Sequence, residues 1–584
     1  MHPAFDVLDI LLEIFAQFDP ERSCYHEAVV ANTVEPWRPC PERRESRLTL
    51  FRLALVCRAF TTPALDVLWR SPGRIDSVGW ILYANSVSTA TGITPSSFYT
   101  HSVPTTTGMA PSRYSRGIKR PLMSMESLVI TSEGWMRIYG YLRRIRFLTL
   151  ALRDLHSIPE RLLNSYFVHV DTTCLLPSLE QVSLIFGNDQ PLPPSYPLHL
   201  IFPPLRILKT SLACDRHQGE HSAHAKNEAV FRYLAGIASN VQDINLYVTQ
   251  RYPRTSAIPY MPSLSLVVGP DPMRLQNLSI RSCCILPSDL FALALLPSLS
   301  NLSVTVRNVS SLLASNNSAN TFPALQHLEL RGDISDVLLF IEMVSSPHLR
   351  QLFIEAHFEH AASQCYTMLA RLCGSLKEPL RVLVIDIESL MEGPPEESIV
   401  FKEHFGSVLA SLKLEKLSLR SFRARRWRLS DDDMKELATA WPDLDFLRIA
   451  TTGRGLTLKS LQHCARLCPR LRELSVGSME IGDLMKEGDD PDLYGHSLRR
   501  LQTTAMHISD STRPAVEQEE WTARFLDSLF PYLNISDEIR VSRQWRPEGP
   551  DVWVSILKRL AGLQEQRNGH QTVRRTHEEW QNMP

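Results

Sequence analysis

The segment Phe322–Leu330, FPALQHLEL, contains the pattern on which the predicted fold depends. An apolar residue, Leu325, is followed by two more at positions +3 and +5, Leu328 and Leu330. Residues two apart on a strand point to the same face, so Leu328 and Leu330 would share one side of a short strand, while Leu325 packs from the turn before it. Similar segments are LPSLEQVSL from 176, LPSLSNLSV from 296, WPDLDFLRI from 441 and CPRLRELSV from 468.

The same triplet occurs thirteen times, and its first members are 24 to 36 residues apart. These intervals bracket the leucine-rich-repeat period of about 20–29 residues, with longer units where a full helix is inserted. The triplets are Ile145/Leu148/Leu150, Leu179/Val182/Leu184, Leu205/Leu208/Thr210, Val241/Ile244/Leu246, Leu275/Leu278/Ile280, Leu299/Leu302/Val304, Leu325/Leu328/Leu330, Leu349/Leu352/Ile354, Leu380/Leu383/Ile385, Leu414/Leu417/Leu419, Leu444/Leu447/Ile449, Leu471/Leu474/Val476 and Leu498/Leu501/Thr503.

A repeat of this kind cannot cover its own apolar face, so neighbouring repeats must stack. The sequence therefore predicts an α/β leucine-rich-repeat solenoid over 126–505, a horseshoe with parallel strands inside and helices outside. The register of the third and last repeats is left open, because each ends in a threonine. Outer helices are predicted over Asp333–Val344, Phe358–Leu372, Ser430–Ala440 and Thr457–Leu467.

The two ends of the chain differ from the repeats. Residues 1–72 are predicted to form a small all-α module, with helices over Val7–Phe18, Leu48–Ala59 and Pro63–Trp69 and an exposed insertion over 19–47. A flexible connector rich in Ser, Thr and Pro is predicted over 73–125. A helical cap is predicted over 506–584, with amphipathic helices over Glu519–Leu533 and Asp551–Gln566 that would cover the open end of the stack.

The N-terminal module resembles an F-box. The run from Asp9 to Phe15, DILLEIF, matches the first-helix core of that family, and LALVCRAF, residues 53–60, matches its second element. The closing Leu68-Trp69 also matches. Two features depart from the pattern: no proline precedes the acidic position, and the insertion separates the first two helices. The whole arrangement is similar to fungal F-box/leucine-rich-repeat proteins.

This resemblance implies the substrate-recognition subunit of a Skp–cullin–F-box ubiquitin ligase. Its F-box would bind a Skp-family adaptor, and through it a cullin scaffold, while the repeats bind a protein client. The residues that would contact the adaptor or support its surface are Leu8, Ile10, Leu11, Ile14, Leu55, Val56 and Trp69. The alternative is a non-catalytic leucine-rich-repeat interaction scaffold with a degenerate F-box.

Composition sets outer limits on function. The 584 residues contain 62 basic and 63 acidic side chains, for a net charge of −1, so no overall field favours nucleic acid or an anionic membrane. The eleven cysteines are scattered and odd in number. They indicate a reducing cytoplasmic or nuclear location in which most act as small buried apolar residues.

Three local patterns could carry chemistry, and each has a simpler explanation. Cys214, His217, His221 and His224 include zinc-ligand types but lack separated ligand pairs, so a loop between repeats is favoured. The segment from Gly453 to Ser460 lacks the second glycine of a phosphate-binding loop, and Thr457 as a helix N-cap explains it. The acidic run from Asp431 to Asp433 fits a helix start after Ser430. The sequence thus predicts no catalytic set, metal or cofactor, and hence no enzyme.

A basic segment stands out in the later repeats. Residues 420–428, RSFRARRWR, hold five arginines and two aromatics directly after a predicted strand. Lys416, Arg420, Phe446 and Arg448 would lie on the strand face opposite the buried anchors, where arginine can bind carboxylate or phosphate in bidentate fashion. These four are the candidate client-binding residues. The alternative is a solvated loop whose long side chains cover apolar surface.

Overall fold

The computed structural model describes two compact units, Met1–Cys283 and Cys284–Pro584, hereafter the N-terminal and C-terminal units. The described residues are 41–72, 129–151, 160–170, 174–186, 205–214, 241–250, 274–310, 321–358, 379–389, 412–422, 427–449, 456–481, 496–508, 514–535 and 552–581, with the short pieces 11, 13–15, 17–18, 86–87, 230, 234, 371–372, 374 and 399–400.

The N-terminal unit begins with a helical module. Helices α1 (Pro41–Val56) and α2 (Arg58–Arg70) pack against a helical segment that includes Leu11 and 13–15. Their shared core is fully apolar, and the ring of Phe15 meets that of Phe60 edge to face at 5.5 Å. The buried members are Leu11, Phe15, Leu50, Ala54, Ala64 and Val67.

Two predicted helix boundaries in this module were wrong. Helix α1 begins at Pro41 rather than Leu48, so the charged stretch 41–47 is helical. Proline is well suited to the first helical position, because its missing N–H would be unbonded there in any case. The predicted third helix belongs to α2, which begins at Arg58 after an extended Cys57. Pro63 lies inside α2, buried in the module core, instead of marking a helix start.

The rest of the N-terminal unit is the first part of the repeat array. A short antiparallel pair, β1 (Ser86–Val87) and β2 (Val129–Ile130), precedes α3 (Ser132–Leu142). Parallel strands follow in chain order, with α4 (Glu160–Val170) between the first two: β3 (Phe147–Ala151), β4 (Gln181–Phe186), β5 (Ile207–Cys214), β6 (Asp243–Gln250) and β7 (Asn277–Cys284).

The C-terminal unit continues the same arrangement. Its main strands pair in parallel, each with the next: β8 (Asn301–Val306), β9 (His327–Asp333), β10 (Gln351–Phe358), β11 (Val382–Ser389), β13 (Lys416–Phe422), β15 (Phe446–Ile449), β17 (Glu473–Ile481) and β18 (Arg500–Ile508). Short strands β12 (Ile399–Val400) and β14 (Trp427–Arg428) pair with each other, and β16 (Leu456–Thr457) pairs with β17.

The strand register confirms the predicted triplets. In the N-terminal unit the +3 members Leu148, Val182, Leu208, Ile244 and Leu278 are successive partners across the sheet. In the C-terminal unit the corresponding series runs Leu302, Leu328, Leu352, Leu383, Leu417, Leu447, Leu474 and Leu501. Thr210 and Thr503 occupy +5 positions in the same register, which places the third and last repeats as well.

A backbone contact repeats between neighbouring turns. The amides of Gln326 and His327 both donate to the carbonyl oxygen of Ser300, at 2.8 and 3.0 Å, and those of Arg350 and Gln351 do the same to Gln326. Each turn thereby bonds to the turn of the preceding repeat, which extends the ladder beyond the strands. The leucine-rich-repeat fold follows from this shared register together with the buried triplets.

Helices of the C-terminal unit are α5 (Pro287–Ala294), α6 (Ile334–Met343), α7 (Asp431–Ala440) and α8 (Leu458–Leu467). The last three confirm predicted helices. Two begin after predicted caps, where Ser430 and Asp433 form a reciprocal capping box and Thr457 accepts from the Lys459 amide. At the start of α6 the Asp333 side chain accepts from the Ser335 amide. The predicted helix over Phe358–Leu372 lies mostly outside the described residues.

Two helices close the C-terminal unit, α9 (Ala515–Leu529) and α10 (Val552–Gln581). They pack together through buried side chains, among them Phe525, Leu529, Ile556 and Leu560. Both helices were predicted, with different boundaries. Helix α9 begins and ends four residues earlier than expected, and α10 continues to Gln581. The last strand, β18, extends to Ile508, past the predicted start of the cap at 506. Within the described ranges, no helix is long and apolar enough to cross a membrane.

Candidate functional sites

The helical module exposes an apolar surface. Leu48, Phe51 and Leu55 lie at i, i+3 and i+7 of α1 and therefore share one face of that helix. Leu55 is 71% exposed and the adjacent Val56 65% exposed, while Ile14 of the first helical segment is 43% exposed. Together with Phe18, these six side chains form what we name the module face. They make up six of the twelve exposed large apolar residues in the described part of the chain.

The module face is unusual because the other side of α1 is apolar too. Leu50 and Ala54, four residues apart, are buried in the module core. A helix at the surface of a fold normally carries polar residues opposite its buried stripe. Neighbouring exposed apolar side chains such as Leu48, Phe51 and Leu55 on α1 are characteristic of protein-binding surfaces. One apolar face of α1 thus packs in the module core, and the other is exposed to solvent.

The predicted adaptor residues fall into four groups. Ile14, Leu55 and Val56 lie on the module face, whereas Leu11 is buried in the core behind it. Trp69 is half-buried and stacks in a tilted geometry on Tyr141 of α3, with ring centroids 5.4 Å apart. Trp69 therefore joins the module to the first repeat and supports the face indirectly. Leu8 and Ile10 lie outside the described residues.

Two other contacts fix the module on the first repeat, and a third joins α1 to the residue that follows α2. The Arg144 guanidinium lies 3.1 Å from the Asp66 carboxylate, and the Arg146 amide donates to the Arg70 carbonyl at 2.9 Å. Arg47 of α1 donates to the Ser71 carbonyl at 2.8 Å. These contacts hold α2 against the repeat strands of the same unit and leave the module face exposed.

Sequence reasoning did not single out Phe18, Leu48 and Phe51. A usable signal was present, because Leu48, Phe51 and Leu55 keep helical spacing that is out of phase with Leu50 and Ala54. Recognising that one stripe faces the core and the other faces solvent required knowledge of which helices pack against α1.

A second site lies on the C-terminal unit, on the face of the sheet opposite the buried anchors, hereafter the open face. Successive side chains of a strand point to opposite faces of the sheet, and Leu417, Leu447 and Ile449 point to the buried face. Their neighbours along β13 and β15 therefore lie on the open face: Lys416, Ser418, Phe446 and Arg448. Lys416 pairs in register with Phe446, and Ser418 with Arg448. The four predicted client-binding residues are thus brought together on adjacent strands.

Two arginines dominate the open face at this point. The Arg420 guanidinium lies 3.9 Å from the carboxylate of Asp386, its register partner on β11. Burial, and then the positive charge of Arg420, lower the pKa of the Arg448 guanidinium from its usual value. Arginine nevertheless stays charged at neutral pH. The two cations are therefore close enough to repel each other, and an anion bound between them would relieve that repulsion.

Two buried polar atoms at this site lack hydrogen-bond partners in the described part of the chain. They are the Ser418 hydroxyl and the Nε of Arg420. Buried donors without a partner cost roughly 1–3 kcal/mol. The sequence did not point to Ser418 or Asp386, because strand register was needed to place them beside the arginines.

Where the structure describes them, the acidic run and Thr457 take part in helix capping. Asp433 belongs to the capping box, and Asp431 accepts hydrogen bonds from the start of α8. No group of three or more potential metal ligands occurs within the described ranges. The histidines of 217–224 and the glycines at 453 and 455 lie outside them. Burial raises the pKa of the Cys284 thiol to about 11, so this cysteine is a poor nucleophile at neutral pH.

Comparison with solved structures returns a leucine-rich-repeat protein of Leptospira interrogans. It matches 70% of this chain and 90% of its own length, at 16% sequence identity and a TM-score of 0.33. No protein-family model and no curated protein matches the sequence.

Proposed function

We propose that this protein is the substrate-recognition subunit of a Skp–cullin–F-box ubiquitin ligase. The module face would bind the Skp-family adaptor, and the repeat array would hold a protein client for ubiquitination by the associated ligase. The chain itself would supply proximity rather than chemistry, so it would not be an enzyme.

The observation that carries the proposal is the module face itself. Its members Ile14, Leu55 and Val56 belong to segments that resemble an F-box, and all three are exposed. An exposed apolar stripe on a helix whose other face is already buried fits docking of a partner helix or groove. The rest of the chain is a leucine-rich-repeat array, a fold suited to holding extended protein surfaces.

The test is co-expression of the full chain with a Skp-family adaptor, followed by size-exclusion chromatography. We expect a 1:1 complex with the unaltered chain and its loss with Leu55→Asp. A carboxylate buried without a partner costs about 3–5 kcal/mol, which corresponds to more than a 100-fold loss of affinity. Since Leu55 is 71% exposed, the substitution should leave the fold intact.

Val168→Asp is the matched control. Val168 is 81% exposed on α4 of the same unit but lies outside the module face, so this variant should keep the complex. Trp69 is unsuitable for the test because of its contact with Tyr141. If the folded chain forms no complex, or if Leu55→Asp binds as well as Val168→Asp does, the ligase role is wrong and an interaction scaffold with a degenerate F-box remains.

A further inference from the structure

On the open face of the C-terminal unit, a row of register partners crosses the sheet, and four of its members lie on adjacent strands between Glu329 of β9 and Ser475 of β17. Phe353, Val384, Ser418 and Arg448 are successive register partners on β10, β11, β13 and β15. We name these four residues the cross-strand row. Its apolar end consists of Phe353 and Val384, which are half-buried, and its basic end consists of Arg448 with Arg420 on the neighbouring strand.

The charge at the basic end matches a single carboxylate. Arg420 and Arg448 contribute two positive charges, and Asp386 beside Arg420 contributes one negative charge. Glu473 lies outside this cluster, because it pairs with Arg500, its register partner on β18, at 3.2 Å. Lys416 lies four residues before Arg420, at the start of β13. One carboxylate would therefore neutralise the cluster, whereas a phosphate carrying nearly two charges would exceed it.

The spacing along the row selects a backbone conformation for the bound segment. Arg448 and Val384 are two strands apart, which corresponds to about 9.5 Å. A polyproline-II helix has three residues per turn and a rise of about 3.1 Å, so residues i and i+3 share a face about 9.3 Å apart. In a β-strand, by contrast, residues on one face are separated by about 6.6 or 13 Å.

We propose that the cross-strand row, with Arg420 beside it, binds a polyproline-II-like segment in which a Glu or Asp lies three residues from an apolar residue. The carboxylate binds Arg448 and Arg420, and the apolar side chain packs on Val384 and Phe353. This proposal deepens the proposed function. It rests on that function in one respect, namely that the bound segment belongs to a client protein.

The test is fluorescence anisotropy with the full chain and fluorescein-labelled twelve-residue peptides of Gly, Ser and Pro. The main peptide carries one Glu and one Leu three residues apart, and its comparators place Leu two or four residues from Glu. We expect the main peptide to bind at least about fivefold more tightly than either comparator peptide. A peptide with Gln in place of Glu should bind with about 10- to 100-fold lower affinity, because it loses hydrogen bonds between a charged carboxylate and the arginines.

Protein variants give an independent readout. Arg448→Gln should weaken the main peptide about 10-fold or more and leave the Glu-to-Gln peptide unchanged. Arg524→Gln is the control, because Arg524 is an exposed arginine of α9 in the same unit, paired with Glu520. If Arg448→Gln does not fold, the Glu-to-Gln comparison on the unaltered protein still decides whether a carboxylate is recognised.

Several results would overturn the proposal: no binding at about 1 mM protein, equal binding of the Gln peptide, or no preference for the three-residue spacing. A phosphoserine peptide that binds more than tenfold tighter than the Glu peptide would overturn the carboxylate assignment. Adaptor binding is measured in parallel. The Leu55→Asp variant should no longer bind the adaptor but should still bind the peptide, whereas Arg448→Gln should still bind the adaptor and bind the peptide more weakly. The two hypotheses can thus fail separately.

Discussion

At the scale of single residues, Gly332 shows how closely neighbouring repeats approach. It lies in β9, in register between Val306 and Ala356, with a φ of 146°. A side chain at this position would meet the carbonyl oxygen of Val306 well inside van der Waals distance. Glycine is therefore required both by the backbone angle and by the space available.

We expect Gly332→Ala to lower the free energy of unfolding of the C-terminal unit by at least about 2 kcal/mol, from backbone strain and overpacking. The urea midpoint, followed by circular dichroism, measures this. Gly140→Ala is the matched control. Gly140 lies inside α3, where an added methyl group would meet open space, so the change should raise stability by about 0.5–1 kcal/mol. A neutral Gly332→Ala would show that the strands can separate locally at no cost.

At the scale of elements, one carboxylate links helices of successive repeats. Asp431 lies in the first turn of α7, and its oxygens accept from the Thr457 amide at 2.8 Å and from the Thr457 hydroxyl at 2.6 Å. It also accepts from the Ser460 hydroxyl, which is buried. The start of α8 is thus satisfied by the preceding repeat, beyond the cap that Thr457 provides itself.

Asp431→Ala should lower the free energy of unfolding by about 1.5–3 kcal/mol, because hydrogen bonds to a charged group are lost and a buried hydroxyl loses its acceptor. The urea midpoint provides the measurement, and Asp432→Ala the control. Asp432 is exposed at the next position of the same helix turn, so its removal costs only a weak helix-dipole interaction. Equal effects of the two substitutions would contradict the proposed link between repeats.

At the scale of the whole molecule, the end of the array depends on a neutral histidine. His496 is buried before β18, where its Nε2 donates to the Cys468 carbonyl at 2.7 Å and its Nδ1 accepts from the Leu498 amide at 3.1 Å. Its ring meets Phe530, just after α9, edge to face. Burial lowers the pKa of His496 from its usual value, and a second proton would remove the acceptor that the Leu498 amide uses.

Because the folded pKa of His496 is lowered, the unfolded chain binds a proton first as pH falls below about 6.5. The contribution of His496 to the free energy of unfolding is therefore fully present above that pH. It declines below it, by at most about 1.4 kcal/mol per pH unit, until the folded form is protonated too. His496→Gln should reduce this pH dependence, measured as urea midpoints between pH 7.5 and 5. His348→Gln, an exposed histidine of the same unit, should retain it. An unchanged pH dependence in His496→Gln would rule out the proposed role.

Sequence patterns located some parts of the molecule better than others. The thirteen triplets and the Ser430 and Thr457 caps were predicted correctly, because each depends on residues a few positions apart. The helix boundaries in the module were not. Helix α1 begins at Pro41, before the apolar run from Leu48 that indicated it, and α2 continues through Pro63, a residue type favoured at a helix start.

The sequence by itself determined the repeat fold, since apolar residues at +3 and +5 can be buried only by stacking strands in register. It also supplied Ile14, Leu55 and Val56 as candidates through their local motif. Only the tertiary structure decided that Phe51 joins them in facing solvent, that Trp69 faces Tyr141, and that Arg448 lies in one row with Val384. Those residues are separated by segments of variable length, and their proximity is set by strand pairing and helix packing, which local spacing does not encode.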